Sequence, residues 1–284
     1  IDTIKLSDAK AWVIKLQADG RGCSYIHSIC GVVRPAFQMA VDDDLILKNP
    51  FDFQLATVIV NDRVTREAFT EEQERAFLEF VAQDTVFCKY YDGIYILFKT
   101  GLRISEFVGL TLNDIDMSNR KINIDHQLLR KKNMEYVIEK TKTTSGIRQI
   151  PMSDDVYECF QRVIAKRKEL KKEPMIGGKC GFLFLTRFGV PTVAWHWENY
   201  FQRIREKYNS IHKVQLPVIT PHVCRHTFCT NMAKSGMNPK TLQYIMGHSG
   251  IGITLNTYAH VKYEDAKKEM KEVFEVKAKQ KSAM

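Results

Sequence analysis

A chain of 284 residues is too long for one small core and fits two or three domains. With 44% hydrophobic and 26% charged residues and no long low-complexity tract, it carries enough apolar surface to exclude an intrinsically disordered protein. The formal net charge of +9 favours a polyanionic partner, because lysines and arginines near phosphates gain affinity by releasing condensed counterions, although charge alone does not select nucleic acid.

The seven cysteines are scattered, odd in number and free of any C-x-x-C pair, which argues against a disulfide scaffold. No basic segment followed by an apolar run opens the sequence, and no window approaches the roughly 18 apolar residues of a membrane span. A cytoplasmic protein without membrane association is expected. The first residue is Ile1, so a further domain ahead of it in a longer natural protein is allowed for.

From Leu6 to Phe53 apolar residues recur at three and four positions, as in Ala11, Trp12, Ile14 and Leu16, then Val32, Val33, Ala36, Phe37, Ala40 and Val41. Gly20 and Gly22 punctuate this helical pattern, and Pro50 ends it by pushing Asn49 out of helical geometry. The pattern predicts a helical first domain over 1–56 and a linker over 57–66. Thr70, with Gln73 three residues on, is a capping box that opens a helix with Ala76, Phe77, Phe80 and Val81 on one face. A second domain over 67–268 begins there.

Ile122 and Ile124, Tyr136 to Ile138, and Ile147 to Pro151 are strand-like, the last following the turn Thr143-Thr144-Ser145-Gly146. They predict one small three-stranded antiparallel sheet. The remainder is helical in pattern, as in Val193, Trp197, Tyr200, Phe201, Ile204 and Tyr208. The expected fold class is mainly α with a small antiparallel β-sheet.

The residues able to carry chemistry come late. Thr220 is an N-cap and Pro221 a first helical residue, so His222 and Arg225 fall in the opening turns, where free backbone N–H groups already favour an anion. An imidazole beside a guanidinium suits a phosphate, the arginine as a bidentate fork and the histidine as a proton carrier. His222, Cys224 and His226 also have half of a zinc-finger spacing, but no upstream cysteine pair completes it, and no metal is expected. Asn238-Pro239 opens another helix, Leu242, Ile245 and Met246 give it an apolar face, Gly247 ends it, and His248 follows. Tyr258 lies ten residues further on.

The strings His222-Val223-Cys224-Arg225-His226-Thr227-Phe228, Met246-Gly247-His248-Ser249 and Thr257-Tyr258 resemble the catalytic signature of the tyrosine recombinases. Thr100-Gly101-Leu102-Arg103-Ile104-Ser105-Glu106 is similar to the segment with that family's first catalytic arginine, and Thr141-Lys142-Thr143 with Arg148-Gln149-Ile150-Pro151 to its lysine-bearing hairpin. The hairpin and the insert around Lys166 to Lys179 look most like integrases of phages and conjugative transposons.

The resemblance implies a helical core-binding domain and a mixed α/β catalytic domain that form a C-shaped DNA clamp. It implies a catalytic set of Arg103, Lys142, His222, Arg225, His248 and Tyr258, with Tyr258 as nucleophile, Lys142 as acid, His222 as base, and Glu106 as a partner to an active-site arginine or histidine. No cofactor is implied. The implied partners are double-stranded DNA at element ends and target, further copies of the chain in a tetramer, and an accessory DNA-bending or excision factor, all at the bacterial nucleoid. Met270, Val273 and Phe274 form a short apolar stripe in a tail helix over 269–284, expected to dock on a neighbouring subunit. The alternatives weighed are a DNA-binding regulator without chemistry and a type IB topoisomerase.

Overall fold

The computed structural model describes residues 3–62, 67–141, 144–167, 170 and 172–258. Lys142 and the tail helix expected over 269–284 lie outside the described residues. The chain divides into two compact units, residues 1–65 and 66–284.

In the first unit α1 (Leu6–Ala18) and α2 (Cys23–Asp42) are separated by Gly20, whose φ of +80° permits the sharp reversal between them. Their inward faces bury Val13, Cys23, Ile26 and Cys30 around a small core. Ile59 completes that core, although it falls in the stretch expected as linker. Two further contacts hold the same stretch: Asp62 accepts from the Cys23 amide at 2.8 Å, capping α2, and Gln17 exchanges side-chain bonds with the Val60 backbone at 2.7 and 3.0 Å. Residues 59–62 therefore pack as part of this unit.

The second unit starts with α3 (Glu71–Gln83), where Thr70 and Gln73 form the expected reciprocal cap. α4 (Tyr91–Thr100) and α5 (Ile104–Gly109) follow. The strands are β1 (Ile115–Asp116), β2 (Lys121–Ile124), β3 (His126–Arg130), β4 (Tyr136–Lys140) and β5 (Arg148–Pro151). After them come α6 (Asp154–Lys166), α7 (Ala194–Ile211), α8 (Pro221–Lys234), α9 (Pro239–Met246) and α10 (Ile251–Tyr258). A single aromatic-rich core ties the helices together, with Phe77 of α3 stacked on Phe201 of α7 at 5.8 Å between centroids.

Two expectations need correcting. The three-stranded antiparallel sheet has the order β1-β2-β5, with Ile122 opposite Ile150, and the Tyr136 segment is not in it. That segment pairs instead with β3 in a separate hairpin, Leu128 opposite Ile138. The physical reason is that residues 126–130 are themselves extended and adjacent in sequence, so the nearest partner wins. Between α6 and α7 the described chain is also not helical; it runs through isolated bridges such as Leu185 with Pro191. Among the described residues no helix is long and apolar enough to cross a membrane.

Candidate active site

The site is built where helix ends meet. α4 stops at Gly101 and α9 at Gly247, both left-handed, with φ of +65° and +62°. A side chain at Gly101 would put its Cβ 2.6 Å from Phe228 and 2.8 Å from the Met246 sulfur, so only glycine fits this turn. The last carbonyls of a helix lack intrahelical partners and sit at the negative end of its dipole. In α9 these carbonyls receive guanidinium groups. Arg148 Nε donates to the Ile245 carbonyl at 2.6 Å, Arg225 Nη2 to that of Met246, and Arg103 Nη2 to that of Gly247 at 2.7 Å. Arg225 Nη1 also donates to the Gly101 carbonyl, joining the ends of α4 and α9.

One carboxylate serves the cluster. Glu106 Oε1 accepts from Arg103 Nη1 at 2.8 Å and Arg148 Nη1 at 3.0 Å, and its Oε2 accepts from Arg148 Nη2 at 2.8 Å and the Arg103 backbone N–H at 2.9 Å. Burial alone would raise the Glu106 carboxyl, but the bonds and charge of Arg148, with Arg103, outweigh it and hold it below the usual carboxylate range. Arg225 is pushed down to about 9, first by burial and then by Arg103. Three guanidinium groups thus share one negative charge, and the surplus positive charge is fixed in place before any ligand arrives.

Beside the cluster lies a cavity of about 310 Å³ lined by Arg103, Glu106, Gln127, His248 and Ser249. The Arg103 side chain is 38% exposed there, while that of Arg148 is fully buried. His248 Nδ1 meets the Thr254 hydroxyl at 2.9 Å. Its ring is pushed down to about 4, first by burial and then by Arg225, Arg103 and Arg148, so it is neutral at physiological pH.

The structure brings together Arg103, Arg225 and His248 from the expected catalytic set. His222 is exposed at the start of α8, where it lines a hollow of about 450 Å³ with Glu198, Gln202 and Arg205. Tyr258 is half-buried at the end of α10, and its hydroxyl donates to the Met237 carbonyl. Burial, then the Cys229 thiol, raises its pKa. Cys224 is fully buried in the core, whereas His222 two residues before it is exposed.

Arg148 is the residue that motif reading passed over, although a signal existed. In β5 it shares the inward face with Ile150, and an arginine on the buried face of an alternating strand needs a carboxylate partner.

A cluster of guanidiniums, one of them open to a small polar cavity, is suited to handling a phosphodiester. Residues 67–265 match the phage integrase family, and the chain belongs to that family of site-specific tyrosine recombinases, enzymes that cleave and rejoin DNA strands. It is 50% identical over 271 residues to the transposase from transposon Tn916 of Enterococcus faecalis, a match covering 95% of this chain and 67% of that protein. It is also similar to the solved Tn1549 transposon integrase in complex with a circular intermediate DNA, with a TM-score of 0.91, 47% identity, and 96% and 86% of the two chains covered. The same integrase with transposon right end DNA gives a TM-score of 0.90 at 48% identity, covering 96% and 86%.

Proposed function

We propose that this chain is the integrase of a conjugative transposon, cutting element ends and target DNA and rejoining them through a covalent protein–DNA intermediate. The observation that carries the reading is the sharing of Glu106 by Arg103 and Arg148, with Arg225 beside them, next to a polar cavity that Arg103 and His248 line. The transposon relatives support the substrate class.

In this reading Tyr258 Oη attacks the scissile phosphorus, a new P–O bond forms to the phenol, and the bond to the 5′-oxygen breaks. The resulting 3′-phosphotyrosyl ester keeps the phosphodiester energy, so a 5′-hydroxyl rejoins the strand by the reverse attack without ATP. Tyr258 first leaves the Met237 carbonyl, because that bond occupies its proton. His222 accepts the proton of the phenol, and Lys142 delivers one to the departing 5′-oxygen.

Arg103 and Arg225 hold the non-bridging oxygens. Each guanidinium nitrogen bonded to a carbonyl retains a second N–H for this purpose. His248, neutral and steadied by Thr254, supplies a hydrogen bond rather than a charge.

The chain acts in the cytoplasm at the nucleoid, as a tetramer on paired DNA sites, with an accessory DNA-bending or excision factor setting direction. A chain ending at Lys268 should still bind one half-site but assemble poorly on full sites in native gels.

The primary test is a nicked duplex carrying an element end. The short fragment that leaves with the new 5′-hydroxyl diffuses away after cleavage, so a labelled covalent adduct accumulates with the natural chain. Supercoil relaxation with no strand exchange would favour the topoisomerase reading instead.

A further inference from the structure

We infer that Arg148 is a positioning residue for strand cleavage, acting through Glu106 to aim Arg103 at the phosphate. The inference rests on the reading of Arg103 as a phosphate-binding arginine. Arg148 does not line the cavity and its side chain is fully buried, so it does not meet DNA itself. Its bonds nevertheless fix the site from behind. Nη1 and Nη2 grip both oxygens of Glu106, at 3.0 and 2.8 Å, which locks the carboxylate in one orientation.

That orientation sets where Oε1 meets Arg103 Nη1, at 2.8 Å, and where Oε2 caps the Arg103 amide, at 2.9 Å. Arg148 also holds the carbonyls of Gly146 and Ile245, at 3.0 and 2.6 Å. One guanidinium therefore joins β5, the turn before it, α5 and the end of α9. Without it, Glu106 is held only by Arg103 itself, and Arg103 loses the fixed backing that a transferring phosphoryl group needs. A misplacement on the order of 1 Å costs about 10²-fold in rate.

The chemistry offers a readout that a merely structural role would not move. Replacing one non-bridging oxygen at the scissile phosphate by methyl removes the negative charge that Arg103 neutralises. A variant with a mis-aimed Arg103 should then lose less on the methylphosphonate than on the natural diester.

Two variants of the full chain keep the test informative. Arg148→Met combined with Glu106→Gln removes both buried charges together, avoiding an unpaired carboxylate. Arg148→Lys keeps a cation but loses the two-pronged grip. Adduct formation is measured on nicked duplexes with diester or methylphosphonate at the cut, alongside circular dichroism and half-site affinity.

The expected result is folded protein, affinity within about threefold, a diester rate down roughly 10²-fold, and a clearly smaller loss on methylphosphonate, with Arg148→Lys intermediate. Equal losses on both substrates, or failure of both variants to fold, would overturn the inference by making Arg148 a stability residue alone. Arg103→Ala serves as the control for the underlying reading. If Arg103→Ala itself cleaves normally, that reading fails; if it is rescued by methylphosphonate and the Arg148 variants are not, only the inference fails.

Discussion

The phenol of Tyr258 donates its proton to the backbone carbonyl of Met237, in the turn between α8 and α9. Nothing about the pair is charged, so the phenol is held by an ordinary hydrogen bond with a net worth of about 1 kcal/mol. Exchange of this bond for a phosphate contact is within reach of DNA binding energy. Tyr258→Phe should abolish the covalent adduct, leave half-site affinity nearly unchanged, and lower unfolding stability by about 1 kcal/mol. An adduct surviving in that variant on a denaturing gel rules Tyr258 out as the nucleophile, with Tyr244 and Tyr263 next in line.

Lys142→Ala should slow adduct formation by roughly 10²–10⁴, the usual worth of a positioned acid. A duplex with sulfur in place of the bridging 5′-oxygen has a leaving group that needs no proton. It should restore cleavage by this variant. Absence of rescue would transfer the acid role to a histidine.

His248 should remain uncharged in the DNA-free protein across about pH 5.5–8, since its pKa is held down at about 4 by burial and three arginines. The unfolded ring titrates at about 6.5, so the unfolded state binds the proton more tightly. Stability from this residue is present above that value and is lost as pH falls towards 4. Proton NMR of the histidine ring resonances checks the claim, and a His248 midpoint near the unfolded value contradicts it.

Gly101→Ala should cost about 2–4 kcal/mol in urea unfolding, combining a left-handed residue with a methyl forced against Phe228 and Met246. Gly236→Ala is the internal comparison. It has φ of +76° but nothing within 4 Å of its Cβ, so it should cost only about 1–2 kcal/mol. Equal costs at the two positions would mean that the crowding at Gly101 is relieved by repacking.

The helices were legible because each carries its own stop and start. Thr70 with Gln73, Thr220 with Pro221, and Asn238-Pro239 with Gly247 all cap where the sequence places them. The strands were less so, since alternation identifies a strand without naming its neighbour, and the Tyr136 segment paired with β3 instead of β2. Arg103, Arg225 and His248 converge as motif spacing suggests. Arg148 stayed hidden because its role depends on contacts with Glu106 and Ile245, residues 42 and 97 positions away. Sequence spacing does not give burial either: of His222 and Arg225, three residues apart, the first is exposed and the second is buried against the Gly101 carbonyl.

The end of α9 offers three consecutive carbonyls, Ile245, Met246 and Gly247, to three different arginines. A one-residue insertion or a slip of the helix terminus would re-aim all three together, so substitutions among these positions should be strongly non-additive. The arginine array can be kept or lost but hardly adjusted by degrees. Altered target choice, in the laboratory or in nature, must then come from residues that touch DNA away from this helix end.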